Sequence, residues 1–218
     1  MTTASPPRYS PAAERNQAPI LAQLQRLLPA RGRLLEIAAG TGQHAVHCAA
    51  GLPGWIWQPT DPTAEALRSI AAWSAQAPSP GLLPPLQLDV LAEPWPLAAG
   101  GAEPWQAVYC ANLLHIAPWA CCTALMRGAA QRLGAGGQLI TYGPYLVAGV
   151  ATSPGNLAFD ADLRARDPQW GLRWLHDVVA EAAAAGLRMQ EQVEMPANNR
   201  LLVFHHAAPS RPRPASAE

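Results

Sequence analysis

Apolar positions fall into two alternating rhythms along the chain. Between residues 11 and 28, Ile20, Leu21, Leu24, Leu27 and Leu28 recur at steps of three and four, which predicts an amphipathic helix with Ser10 before it and Pro11 at its first position. Leu34, Leu35 and Ile37 then form a short apolar run that breaks at Ala38-Ala39-Gly40-Thr41-Gly42 and gives way to a helical stretch over 43–50, so this segment reads as buried strand, glycine turn and helix start. The same alternation continues. Strands are predicted at 55–60, 86–88, 106–111 and 137–143, with helices at 63–73 and 120–133 between them. A helix over 171–185, ended by Gly186, leads to two strands, 187–195 and 201–206, joined by the Asn-rich turn Pro196-Ala197-Asn198-Asn199-Arg200. The expected fold is α/β: a Rossmann-like sheet of seven strands, mostly parallel, closed by an antiparallel C-terminal hairpin.

The rest of the chain reads as connection. Residues 1–10 form a loose polar arm, 91–103 a Pro- and Gly-rich loop, and 207–218 a disordered tail, leaving one domain over 11–206. The stretch 144–168 is an insertion longer than a connector requires, and it reads as either a functional lid or a mobile loop.

The glycine turn carries the first chemical signal. Gly40 and Gly42 let the backbone turn sharply and approach a ligand, and the helix that follows presents unpaired N–H groups. With Ala45 they spell G-x-G-x-x-A, which by itself fits a dinucleotide fingerprint. Glu36 argues the other way, because a carboxylate at the end of the first strand repels phosphates and attracts a cation. S-adenosylmethionine (SAM) carries an ammonium and a sulfonium and no phosphate. The candidate cofactor residues are therefore Glu36, Ala38, Gly40 and Gly42, joined by four further residues at three strand ends. Asp61 follows Gly42 at close to the roughly 20-residue spacing at which an acid in such folds meets ribose hydroxyls, and it is also a candidate helix cap. Asp89, followed by Val90, ends the third strand, where Asp is also common as a plain turn residue, and Asn112 is a candidate for the methionine part.

Other positions have two readings each. His115 is a candidate general base, its ordinary pKa allowing proton uptake near neutrality, or a structural hydrogen-bonding group. Arg15 and Asn16 are a solvated helix start or a lid that reaches the cofactor carboxylate. Tyr142, Tyr145, Asn156 and Asp160 are candidate substrate contacts, and Trp119, Tyr142 and Tyr145 candidate barriers to water.

Composition narrows the partners. The 218 residues hold 15 basic and 15 acidic side chains, for no net charge, and the basic residues are scattered arginines. Nucleic-acid binding needs a concentrated basic face, so a small molecule is the expected partner. No apolar run is long enough for a membrane span, and residues 1–10 have no apolar signal core. Cys48, Cys110, Cys121 and Cys122 offer no C-x-x-C pair and read as reduced cytoplasmic thiols. Adjacent His205 and His206 point to opposite faces of a strand, so no metal site is expected. The Ala-, Pro- and Gly-rich, Lys-free composition matches a GC-rich bacterial genome.

Several stretches taken together, ERNQAPIL, LEIAAGTGQHAVHCA, WQPTD, LDV, CANLLHIAPW, YGPY, the TSPGN-to-RDPQWGLR run and MPANN, resemble the class I methyltransferase-like family of the methyltransferase-like protein twenty-six type, over about residues 9–204. Ala38 replaces the first glycine usual in class I methyltransferases. The resemblance implies a seven-stranded Rossmann-like sheet and SAM binding, with Asp89 and the Val90 backbone N–H meeting the adenine, and it supplies no substrate. An NAD(P)-dependent oxidoreductase and a non-catalytic SAM-binding protein are the alternatives, the first disfavoured by Glu36 and by the closing hairpin.

Overall fold

A computed structural model describes residues 6–97 and 104–206. The elements in chain order are α1 (Pro11–Leu27), β1 (Gly32–Ile37), α2 (Gln43–Gly51), β2 (Trp55–Asp61), α3 (Ala64–Gln76), β3 (Leu86–Gln87), β4 (Trp105–Ala111), α4 (Trp119–Arg132), β5 (Leu133–Gly143), β6 (Tyr145–Leu146), α5 (Pro154–Arg166), β7 (Arg173–Trp174), α6 (Leu175–Ala184), β8 (Leu187–Met195) and β9 (Asn199–His206). Seven strands form one sheet in the order β3-β2-β1-β4-β5-β9-β8. All neighbours are parallel except β9, which runs antiparallel to β5 and β8. This is the α/β sheet expected from the sequence. The order reverses between β1 and β4, and ligands in such sheets bind beyond the carboxyl ends of the strands at that switch point.

Side-chain alternation divides β1 between two cores. Leu34 packs with Trp57, Tyr109, Ile140, Leu201 and the α1–α2 residues Ile20, Leu24, Ala45 and Cys48 on one face. Leu35 and Ile37 pack with Leu88, Val108, Leu125, Leu139 and Val178 on the other, under α4 and α6. By the same parity Glu36 is committed to the face of Leu34, opposite Ile37.

Several predicted boundaries move. Residues 154–166 are a helix and not an irregular loop: Pro154 holds the first position, and the Ser153 hydroxyl accepts the Asn156 N–H at 3.3 Å. The helix expected over 171–185 begins only at Leu175, because Arg173 and Trp174 pair with Tyr145 and Leu146 in a small parallel ladder. β5 starts four residues early, at Leu133. Residues 6–10 have no regular structure but are held in place: the Arg8 N–H donates to Ser69 Oγ at 2.8 Å, and the Trp73 indole donates to the Arg8 carbonyl at 2.8 Å. The expected loose arm over 1–5, part of the 91–103 loop and the tail over 207–218 lie outside the described residues. No helix among the described residues is long and apolar enough to cross a membrane.

Candidate active site

The glycine turn is held by a carboxylate from the next strand. Asp61, at the end of β2, accepts the Gly40 N–H at 3.1 Å on one oxygen, and the Thr63 N–H at 3.0 Å and hydroxyl at 2.9 Å on the other. Its alternative role as a helix cap belongs instead to Thr63, whose hydroxyl accepts the Ala66 N–H. Ala38 and Gly40 have φ of 56° and 59°. Gly42 has φ of 91°, and a Cβ there would lie 2.8 Å from the Ile70 Cα, so both the turn and α3 require glycine.

Glu36 lies beneath this turn. Its carboxylate is 2% exposed and accepts the Trp57 indole N–H at 2.7 Å. Burial pushes its pKa up to about 7, the Trp57 hydrogen bond opposes the rise, and the Asp61 charge adds to it.

Two cavities open beside the switch point, and they share Ile116. The first, about 230 Å³, lies on the Ile37 face and runs from Ala38 and Pro62 past Leu88-Asp89-Val90 to Leu113, Cys121 and Trp170. Its wall carries Asp89 and no cation. The second, about 750 Å³, opens on the other side, between α1, the ends of β4 and β5, α5 and the β8–β9 turn. Its polar residues are Arg15, Asn16, Asn112, Tyr142, Asn156 and Asn199. No residue of β1, β2 or the glycine turn reaches this wall.

A hydrogen-bonded chain backs the second cavity. Burial holds the His44 pKa down to about 4, so the ring is neutral at pH 7. Asn16 Oδ1 lies 2.6 Å from His44 Nε2, and an oxygen acceptor at that distance requires the nitrogen to carry the proton. The Asn16 amide then faces Tyr142, whose pKa is raised by burial and drawn back by hydrogen bonding from Asn16. α1 also closes the entrance to α2: Gln43 Oε1 accepts the Ser10 N–H and the Thr41 hydroxyl at 3.1 Å, and Gln43 Nε2 donates to Glu14 at 3.4 Å.

The structure thus brings Ala38, Asp89 and Val90 to one cavity and Asn112, Tyr142 and Asn156 to the other, with Gly40, Gly42 and Asp61 bracing the turn between. Five expectations require correction. His115 is fully buried, lines neither cavity and has no hydrogen-bond partner on either ring nitrogen; burial holds its pKa down to about 3, which leaves it neutral and out of reach as a base. Tyr145 is buried edge-on to His115 at 5.0 Å and donates to Thr141 Oγ1, away from both cavities. Asp160 accepts the Leu172 N–H at 2.7 Å and pairs with Arg164, tying α5 to the following loop. Trp119 packs under Arg173 and lines a separate depression with Asp177 and Glu181, so it shields neither cavity. Glu36, too, is on the wall of neither cavity, because strand parity turns it into the core.

Sequence reasoning missed four contributors. Trp170, Phe159 and Asn199 sit inside quoted motifs, yet only the fold gathers them at the cavities. Arg173 donates to the carbonyls of Leu114, Ala117 and Gln169, each at 2.7 Å, and so clamps the 113–117 loop over the smaller cavity.

A family model described as "Protein of unknown function (DUF938)" matches residues 7–206, nearly the whole chain. The chain belongs to this family. Among solved structures, this DUF938 protein is similar to an O-methyltransferase family 2 protein from Planctomyces limnophilus in complex with apigenin, at 19% identity and TM-score 0.72, over 88% of this chain and 59% of that one. It is similar to the SAH-bound calicheamicin-biosynthesis methyltransferase CalO1, at 16% identity and TM-score 0.68, over 88% and 54%. Human N-acetylserotonin methyltransferase in complex with SAM matches at 14% identity and TM-score 0.72, over 90% and 53%. The DUF938 chain therefore spans between 53% and 59% of the length of these three, and at such identities the likeness is one of fold: a Rossmann-like seven-stranded sheet.

Proposed function

We propose that this DUF938 protein is a SAM-dependent methyltransferase, of the methyltransferase-like protein twenty-six type, acting on a small-molecule acceptor. The observation that carries the reading is the pair of cavities meeting at Ile116 across the sheet's switch point, one apolar with a single carboxylate and the other roomy and polar. The residues fit the cofactor's chemistry. Asp89 and the Val90 backbone face an adenine edge, with Ala38, Ile116 and Trp170 as apolar walls. Asp61, already oriented by Gly40 and Thr63, keeps one lone pair, on Oδ2, for a ribose hydroxyl. Asn112, at the mouth of the larger cavity with φ of 61°, is placed for the methionine part, and the exposed Arg15 for its carboxylate or for the acceptor.

Bound SAM supplies a methyl group activated on a sulfonium. The chain's task is to align an acceptor with that group and exclude water, and the apolar wall of Ile116, Pro144 and Phe159 suits it. No side chain is assigned as a base. A dinucleotide fits poorly: the smaller cavity offers no cation to phosphates, and Glu14 stands at the α2 entrance where they bind in dinucleotide folds. The four cysteines are buried and free, which accords with a reducing cytoplasm.

Isothermal titration with SAM, S-adenosylhomocysteine (SAH) and NADH tests the proposal. Saturable binding of both adenosyl compounds and none of NADH is expected. Binding of NADH, or of none of the three, would overturn it.

A further inference from the structure

Two motifs that the cofactor does not use, TSPGN and MPANN, meet on the far wall of the larger cavity. The Ser153 N–H donates to Asn198 Oδ1 at 3.1 Å, and Asn156 Nδ2 donates to the Asn198 carbonyl at 3.1 Å and to its Oδ1 at 3.3 Å. Asn199 Nδ2 donates to the Pro196 carbonyl at 2.9 Å. Carbonyl oxygens accept and cannot donate, so these contacts fix both amides with their nitrogens turned to the protein. Asn156 Oδ1 and Asn199 Oδ1 have no partner among the described residues. The latch also holds Ala197 and Asn198 at φ of 57°, a left-handed conformation that costs each about 1 kcal/mol or more and persists only where its surroundings impose it.

The opposite wall has the reverse character. Arg15 makes no ion pair with any described residue, and among those residues it is the only charged side chain on the cavity wall. Asn16 spends its oxygen on His44 and hydrogen-bonds Tyr142, whose phenol lines the same wall with an O–H to donate. One wall therefore offers hydrogen-bond donors and a positive charge, the other two hydrogen-bond acceptors, with Ile116, Pro144 and Phe159 as the apolar boundary.

We infer that, on the methyltransferase reading, the acceptor is a small organic acid that carries an N–H or O–H group at its far end. Its carboxylate meets Arg15 and the Tyr142 O–H; its N–H or O–H meets the amide oxygens of Asn156 and Asn199. With no carboxylate on the wall, a cationic acceptor has no counter-charge there.

Titration calorimetry on the SAH-loaded full chain tests this with a matched set of probes: 4-hydroxybenzoate, 4-aminobenzoate, methyl 4-hydroxybenzoate without the anion, 4-methoxybenzoate without the donor, and 4-hydroxybenzylamine as a cation. The hydroxy and amino acids are expected to bind about tenfold or more tightly than the ester, the ether or the amine, one lost charged or buried hydrogen bond being worth roughly that ratio. Arg15→Gln, at an exposed helical position with its melting temperature as control, is expected to erase the acid-over-ester preference. Asn199→Ala is expected to erase the hydroxyl-over-ether preference. Equal binding of acid and ester, tighter binding of the amine, no binding of any probe, or an unchanged preference in a folded Arg15→Gln would each overturn the inference. SAH binding without acid selectivity leaves the methyltransferase reading standing and ends this one. Acid selectivity without SAH binding ends both, since the inferred acceptor is a partner of the methyl donor.

Discussion

Two acids at neighbouring strand ends play different parts. Glu36, buried against Trp57, has a pKa of about 7 where an ordinary glutamate has 4.5. Between those values the folded chain holds a proton that the unfolded chain has lost, so this group's contribution to stability falls as pH rises through the window and is constant above it. Glu36→Gln keeps an oxygen for the Trp57 N–H and removes the buried charge. The variant should match wild type near pH 4 and exceed it at pH 8 by up to about 3 kcal/mol in denaturant unfolding. Equal stability at pH 8 would show that Glu36 carries no such penalty. Asp61 is bound by three donors and orients the glycine turn. Asp61→Ala strands the Gly40 N–H and removes the proposed ribose acceptor, so SAM affinity should fall at least tenfold by calorimetry. Unchanged affinity would remove Asp61 from the site. Both acids are visible in the sequence as carboxylates at strand ends. The side of the sheet that Glu36 faces is legible as well, from its alternation with Leu34 and Ile37, but only once a strand is assumed to be covered on both faces. The fate of His115 is not legible, because burial under Gly143 is a property of the packed fold: a Cβ on Gly143 would meet its Nε2.

Among the elements, α2 and α3 meet through Gly42, and the 113–117 loop is held by Arg173. Gly42→Ala must place a methyl group in the Ile70 backbone at an unfavourable φ, so a loss of more than about 2 kcal/mol is expected in chemical denaturation. A variant as stable as wild type would mean that the turn relaxes without cost. Arg173→Gln leaves carbonyls of the loop without their donor, and SAM affinity is expected to drop about tenfold while α4 and the sheet stay folded by circular dichroism. An unaffected affinity would separate the clamp from the cofactor cleft. The helices and strands with strong periodicity are readable within a few residues; α1, for example, ends one residue before its expected end. α5 escapes a reading by periodicity because only Leu163 on it is buried, so its polar and apolar positions form no continuous stripe. The β6–β7 ladder escapes because two residues per strand carry no alternation at all.

Across the whole molecule, two histidines are buried in the neutral state. His44 and His115 have pKa values of about 4 and about 3 against 6.5 in the unfolded chain, so unfolding takes up protons below pH 6.5. Their contribution to stability is complete above pH 6.5 and is lost as pH falls, at up to about 1.4 kcal/mol per pH unit for each. Melting temperatures measured from pH 7 to pH 4 are expected to decline, and His44→Gln to flatten the decline; a variant with the wild-type slope would contradict the assignment. The order of motifs along the chain carries the fold, since alternating strand and helix signals followed by an Asn-turned hairpin admit few sheets. The two cavities are another matter. The larger one joins α1, α5 and the 196–199 turn, segments far apart in sequence whose meeting depends on the antiparallel return of β9 beside β5. The most direct test of the account is a crystal structure of the chain with SAH. The account predicts the adenine in the cleft between Ala38 and Trp170 with its amino group on Asp89, the ribose on Asp61, and the sulfur at the Ile116 opening into the larger cavity. An adenosyl group bound elsewhere, or a cleft that stays empty at saturating SAH, would contradict it.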